Sequence, residues 1–468
     1  MHCGIVTEGA RHHAGPGRPE HVTTAPSAGW RELLLGERAT LTLGLVLVEA
    51  VAAIQVSVVA AIMPAVSHDL NGLAFYGLVF SGYALAGLAA TPLSGYLADR
   101  YGPARPFAVT TAVFVAGSLL CGLAPTMPLL AAARVIQGWG GAALYTIAYG
   151  AIAKAYPESG RARMLALLAA VWVVPGFVGP PFGAIVTETV GWRWCFFILL
   201  PIVAIAFVMA YPDLRKLGGG TPQAGAPPWQ WPLVLAVGTG LLVTGLADPP
   251  PLGLVFDVIG FALFVPALRH VLPAGMFRLE RGLPSAILAS LLLMLAFFVG
   301  LFFLPLLITQ HNHRSLLEAG LAVTAANTTW TLGNWWQATA VERYSKRLLA
   351  GASSAVVALS LFAGCLVLVG LPLPIAYVAW ACGGAGMGIA YPTMYLVAVE
   401  AAPVGRETVA VAALMTTNRL GISLGTGLGG AFIAIGAAAS GSVTVGLAAT
   451  FAFAASGGLI AVALTRRM

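Results

Sequence analysis

The stretch ATLTLGLVLVEAVAAIQVSVVAAIMPAV, residues 39–66, carries a single ionisable side chain, Glu49. At 1.5 Å per residue it is long enough to cross ~30 Å of hydrocarbon as a helix. Runs of the same kind recur near 74–98, 105–125, 127–156, 161–188 and 193–214, and again near 229–247, 252–270, 282–310, 316–340, 348–371, 374–399, 406–436 and 441–466. Over the 468 residues 59% are hydrophobic and 9% charged, against roughly 25% charged in a soluble globular chain. These features predict an all-α polytopic membrane protein of about 14 transmembrane helices, with no stretch left over for a soluble catalytic domain.

The distribution of basic residues tests that parse, because Lys and Arg collect on the cytoplasmic loops. Twenty of the 24 fall on one side: Arg11, Arg18, Arg31 and Arg38, then Arg100, Arg105, Lys154, Arg161, Arg163, Arg215, Lys216, Arg269, Arg278, Arg281, Arg343, Lys346, Arg347, Arg406, Arg466 and Arg467. Arg193 and Arg314 fall on outer loops, and Arg134 and Arg419 inside spans. Both termini are therefore expected in the cytoplasm, in the plasma membrane of a bacterial cell. The pI near 9.3 follows from these loops facing anionic lipid, so nucleic acid is not an expected partner.

Five cysteines form no CxxC pair or Cys/His cluster, so neither a disulfide framework nor a zinc site is indicated, and no cofactor is expected. Residues 1–38 are polar and lack the apolar core of a signal peptide, which suggests a disordered cytoplasmic tail in which His12 and His13 are simply solvated. The Gly/Pro-rich run RKLGGGTPQAGAPPWQ (215–230) divides six spans from eight. A weak internal repeat links DRYGPAR (99–105) to ERYSKR (342–347), and GWGGAALYTIAY in span 4 to GGAGMGIAYPTMY in span 12. GPPFGA in span 5 pairs likewise with GLGGAF in span 13. The chain then reads as a six-helix bundle over 39–214, a linker with two inserted helices over 215–281, and a second six-helix bundle over 282–468. Parallel repeats of that sort mark transporters.

Gly95-Tyr-Leu-Ala-Asp99-Arg100-Tyr-Gly102, Arg134-Val-Ile-Gln137-Gly138 and Gly179-Pro180-Pro181-Phe-Gly183-Ala184 resemble the motifs of the major facilitator superfamily, most of all its fourteen-helix drug/proton antiporter branch. The resemblance is strong over 39–214 and loose beyond. It implies a gating loop in which Gly95, Asp99, Arg100 and Gly102 lock and release the bundles, with Glu342 and Arg343 as counterparts in the second half. It implies a role for Arg134 in proton coupling, and an export-favouring kink at Gly179, Pro180 and Gly183, although small residues there also serve simple helix packing. Three departures stand out: Pro103 where the family has a base, Pro175 and Ala184 where it has Gly, and Gln55 where span 1 of this branch carries an acid. Trp192-Arg193-Trp194 and Phe196 match the loop before span 6, where aromatics equally suit an interfacial belt.

Glu49 lies about 240° round the helix from Gln55. Near mid-span, where desolvation penalises its charged form, it is the candidate proton carrier, weighed against a structural pair with a buried Arg or polar group. Arg419, beside Asn418 in span 13, is a second cation at depth whose partner could be Glu49 or Glu188. Thr324, Asn327, Thr328, Thr331, Asn334 and Trp335 in span 10 recur every three or four residues as one polar stripe, facing either substrate or neighbouring helices. With Gln55, Gln137, Tyr145, Tyr149, Trp330, Tyr391, Tyr395 and Arg419 they make the expected substrate cavity. Asp257, in the inserted span 8, is a weaker candidate that could face lipid headgroups.

Gly421-Ile-Ser423-Leu-Gly425 and Gly425-Thr-Gly427-Leu-Gly-Gly430 fit hydrolase and dinucleotide patterns, but both lie inside an apolar span without the strand those folds need. No Walker motif is present, which leaves an ion gradient to drive the protein. The sequence predicts no enzyme but a secondary transporter, monomeric, exporting lipophilic or cationic small molecules in exchange for protons. Export of a lipid, siderophore or metabolite, uptake by symport, and a non-transporting sensor or intramembrane enzyme are the alternatives.

Overall fold

The computed structural model describes residues 30–219, 229–247, 251–272, 275–276, 278–402 and 407–468. Among them stand fourteen helical rods. The first six are α1 (Ala39–Asp69), α2 (Tyr76–Tyr101), α3 (Ala104–Leu123), α4 (Met127–Ala155), α5 (Glu158–Val171 and Val173–Thr189, joined through Trp172) and α6 (Trp194–Phe197 and Leu199–Lys216). Next come α7 (Gln230–Ala247) and α8 (Leu252–Val271). The last six are α9 (Leu283–Leu306, prolonged by a π turn over Leu307–His311), α10 (Leu316–Arg343), α11 (Lys346–Leu368), α12 (Pro374–Glu400), α13 (Glu407–Ser440) and α14 (Val443–Thr465).

Eleven of the rods are long and apolar enough to cross a membrane by length and composition. The shorter α7 and the two more polar rods, α4 and α10, fall outside that set. In a bilayer, polar side chains belong on the bundle interior, and α4 and α10 hold most of the candidate site.

One expectation needs adjustment. Residues 1–29 lie outside the described residues, but the rest of the expected tail is not featureless: Trp30–Leu35 forms a short helix whose Leu33 is buried. Of the linker, 220–228 lie outside the described residues, as do 403–406 before α13.

Rod ends follow local chemistry. Ser315 caps α10 in a capping box: its hydroxyl accepts from the Glu318 N–H at 3.2 Å while the Glu318 carboxylate accepts from the Ser315 N–H at 2.9 Å. Ser345 caps α11 by accepting from the Leu348 N–H. Pro64, Pro92, Pro212, Pro266, Pro305 and Pro392 sit inside rods, and Pro305 lies two residues before the π turn that ends α9.

The first six rods meet the last six along two seams, α2 against α13 and α5 against α10, with α1 also touching α9 and α10. Gly77 and Gly430 let α2 and α13 meet backbone to backbone, because a Cβ on Gly430 would lie 2.6 Å from the Gly77 Cα. The inserted α7 and α8 pack on each other, and α7 lies against both α2 and α13. For reference, the face holding the starts of α1 and α9 and the end of α14 is termed the basic face.

Candidate functional site

The hydrogen bonds between the first six and last six rods fall between mid-membrane and the face opposite the basic one. The Tyr76 hydroxyl donates to the Phe302 carbonyl at 2.8 Å, Thr324 to Phe177 at 3.2 Å, and the Asn327 amide to Gly176 at 3.3 Å. Phe80 stacks on Phe302 at 4.0 Å in the same region. Toward the basic face no hydrogen bond or ion pair among the described residues joins the two sets. Tyr145, Tyr149, Trp172 and Arg419 stay partly exposed there. The polar contacts between the two sets are thus gathered at mid-membrane and beyond it, away from the basic face.

Glu49 is buried, with one carboxylate oxygen accepting from the Trp172 indole N–H at 2.5 Å. Its Oε2 has no hydrogen-bond partner. Trp172 stands at the join between the two segments of α5, so the carboxyl ties α1 to the break in α5. Gln55, one and two-thirds turns further on, is also buried, and both of its amide atoms lack a partner.

Arg134 and Glu49 are not brought together. The Arg134 guanidinium lies within the first six rods, donating to the Val79 carbonyl at 3.2 Å and to Gln137 Oε1 at 2.7 Å. It also caps the face of the Tyr83 ring at 4.3 Å. Gln137 is fully buried between α3 and α4 and donates to Ser118 at 2.9 Å, so its amide is committed to packing rather than to the cleft. Arg419 has no acid beside it. The ion pairs among the described residues are Lys154–Asp99, Arg193–Asp69, Lys216–Asp213 and Lys346–Glu400, so neither Glu49 nor Glu188 answers it. Its guanidinium lies across the seam against Gly87 of α2.

The polar stripe of α10 is divided between neighbours. Thr324 and Asn327 bind the α5 backbone, as given above. The Asn334 carboxamide bridges to α12, its nitrogen toward Gly388 O at 2.6 Å and its oxygen toward Trp330 Nε1 at 3.3 Å, an orientation assigned from this network. Thr331 bonds back to Asn327 O at 3.2 Å within its own helix, and Trp335 is 65% exposed. Tyr145 and Tyr149 pair at 4.5 Å between ring centres, and Tyr391 lies 6.3 Å from Trp330.

The Gly/Pro run of α5 is wedged between α1 and α10. A Cβ on Gly179 would touch Ser57 at 3.4 Å, one on Gly183 would press Val58 at 2.8 Å, and one on Gly320 would strike the Pro180 carbonyl at 2.9 Å. On the basic face Asp99 pairs with Lys154 at 2.9 Å, and Arg100 donates to the Tyr96 hydroxyl at 2.8 Å. Gly102 takes φ +79° against Leu217 and Gly219, a conformation that suits glycine. A Cβ on Gly95 would lie 3.8 Å from the Thr146 methyl. Glu342 and Arg343, by contrast, make no side-chain hydrogen bond or ion pair among the described residues. Asp257 lies in the fold of the inserted pair, against Gly245, with Oδ1 unpartnered.

Sequence reasoning missed Trp172, Lys154 and Tyr83 as partners of these groups. The rule-breaking Pro103 was the one available hint, since a missing base leaves Asp99 to find its cation elsewhere.

Two sets of six long helices, mostly apolar and holding single ionisable groups buried at mid-depth, fit a secondary transporter as a class. The pattern of the Major Facilitator Superfamily matches residues 45–426, and the chain belongs to that family. It is 34% identical over 207 residues to the efflux pump dotC of Dothistroma septosporum, an alignment spanning 44% of this chain and 35% of that one. It is 27% identical over 464 residues to a probable multidrug-efflux transporter of Mycobacterium tuberculosis, across 94% of this chain and 97% of the relative. The crystal structure of a D-xylose–proton symporter superposes with a TM-score of 0.65 at 13% identity, over 91% of this chain and 96% of that one, which establishes the shared fold alone.

Proposed function

We propose that the protein exports lipophilic small molecules from the cytoplasm in exchange for protons, by alternating access of a cleft between two six-helix bundles. The basic face is then cytoplasmic, both termini lie there, and the described state is open inward. The observation that carries this reading is Glu49: a buried carboxyl with no cation beside it, one oxygen held by Trp172 and the other unpartnered. Desolvation disfavours an ionised carboxylate in such a place, so the group can bind a proton in the sealed site and release it to water. A proton moving inward gains ~2.3 kcal/mol per 100 mV, enough to drive one substrate outward against a steep gradient. Two relatives named for efflux support the outward direction.

The test is pH-gradient-driven movement of a lipophilic dye in proteoliposomes, wild type against Glu49→Gln. The substitution keeps an acceptor for Trp172 and removes the titrating group. Gradient-driven movement should fall to the passive leak in the variant. Equal rates in the two proteins would remove Glu49 from coupling, and no movement at any pH would sink export of this class.

A further inference from the structure

Arg419 sits about a third of the way along α13, deep in the membrane, and reaches over the seam to α2. A Cβ on Gly87 would lie 2.5 Å from its Nη1 and 3.5 Å from its Cζ, so the guanidinium occupies the space a larger residue would fill, with the Ala142 methyl 3.0 Å from the same point. The titratable groups near enough to interact with its charge are tyrosines, Tyr83, Tyr145 and Tyr391. No carboxylate among the described residues pairs with it, and it is partly exposed. The other charge of the region, Glu49, is engaged by the Trp172 indole. A planar guanidinium held at depth beside aromatic walls matches one kind of guest: a flat apolar body carrying a delocalised anion, which the fork of N–H donors can bind bidentately.

We propose that the substrates are lipophilic organic anions, aromatic carboxylates and their relatives, whose anionic group docks on Arg419 while the rings lie along the tyrosines. This rests on the export reading above and names its substrate class: a lipophilic cation would face Arg419 with like charge in a desolvated site.

Binding is measured without any gradient, on protein in phosphatidylcholine nanodiscs, with pyrenebutyrate, its methyl ester and pyrenebutylamine as probes of matched shape. Wild type should bind the acid at least about tenfold more tightly than the ester or the amine, the ratio expected of one charged hydrogen-bonded pair. Arg419→Gln should erase that preference and leave the ester where it was, and Arg419→Lys should keep part of it. Equal affinities for acid and ester in wild type, no saturable binding of the acid, or equal losses for acid and ester in Arg419→Gln each overturn the proposal. So does displacement of the acid by added phosphatidylglycerol, which would assign the guanidinium to a lipid headgroup. Acid-selective binding without pH-driven transport would defeat the coupling reading alone. PH-driven export of the amine but not the acid would defeat this one alone.

Discussion

The two six-helix sets use the same device to pack and opposite habits in handling charge. In the first set α4 approaches α2 through Gly138 on the Tyr83 carbonyl; in the second, α12 approaches α10 through Gly388 on the Trp330 carbonyl and Gly384 on that of Ala326. Small residues at matching places thus build matching helix pairs. On the basic face each set also makes one ion pair between helices, Asp99–Lys154 and Lys346–Glu400, to which α4 gives the base and α12 the acid. Deeper in, the likeness ends. The first set satisfies Arg134 internally with a carbonyl, a glutamine and a ring, whereas Arg419 of the second set leans out of its own bundle onto Gly87 of the other. The two sets share their manner of backbone approach and differ in how they place a cation at depth.

The comparison breaks most sharply at the seam. Gly77→Val should drive α2 from α13, since even a Cβ there would lie 2.5 Å from the Gly430 Cα, and interiors at crystal-like density cannot absorb that overlap. Transport should drop more than about tenfold, for want of a closed opposite face, if the overlap exceeds ~1.4 kcal/mol. A cysteine placed at Ser81 should at the same time become reactive to an impermeant maleimide. If the cysteine stays protected, the seal does not depend on this glycine contact.

Gly87→Ala tests whether Arg419 needs the other set. The added methyl displaces the guanidinium, and acid-probe affinity should fall several-fold, at most the ~1.5–3 kcal/mol of a charged hydrogen bond. Affinity for the uncharged ester should hold, and a parallel fall in both would mean general loss of shape.

Trp172→Phe removes the indole donor to Glu49 but preserves most of the ring. Intramembrane hydrogen bonds average ~0.6 kcal/mol, so transport should fall about two- to threefold with thermal stability nearly unchanged. Transport as low as in Glu49→Gln would instead make the tryptophan part of the proton path.

The smallest effect is expected at the basic face. Lys154→Ala and Lys346→Ala each break one partly exposed pair worth ~0.2–1 kcal/mol, so each should shift transport less than about fivefold and less still at high salt. A much larger loss from Lys154→Ala alone would show that the first set's pair works as a latch that the second set's does not.

Much of the fold was legible in the chain because apolar run length and loop charge act locally. The fourteen rods begin and end close to the residues at which the apolar runs do, and the antiporter-like glycines prove to be sites of close approach. The site was less legible because partners are set by tertiary contact. Nothing in the linear order pairs Glu49 with a tryptophan 123 residues away, and nothing sets Arg419 against Gly87. The polar stripe of α10 was visible as a stripe, but periodicity could not distinguish a face wetted by substrate from one bonded to α5 and α12. Several of its members do the latter.

The inserted pair carries a mechanical consequence. With 18 residues, α7 spans about 27 Å as a helix, while α13 beside it runs for 34 residues, about 51 Å. Under the alternating-access proposal α7 stands at the seam along which the two sets move, and thinning is one way a bilayer of ~30 Å meets so short a helix. Every cycle that shifts α13 against α2 then deforms that annulus of lipid, so acyl-chain length becomes a rate variable: thinner membranes should favour turnover and thicker ones should resist it.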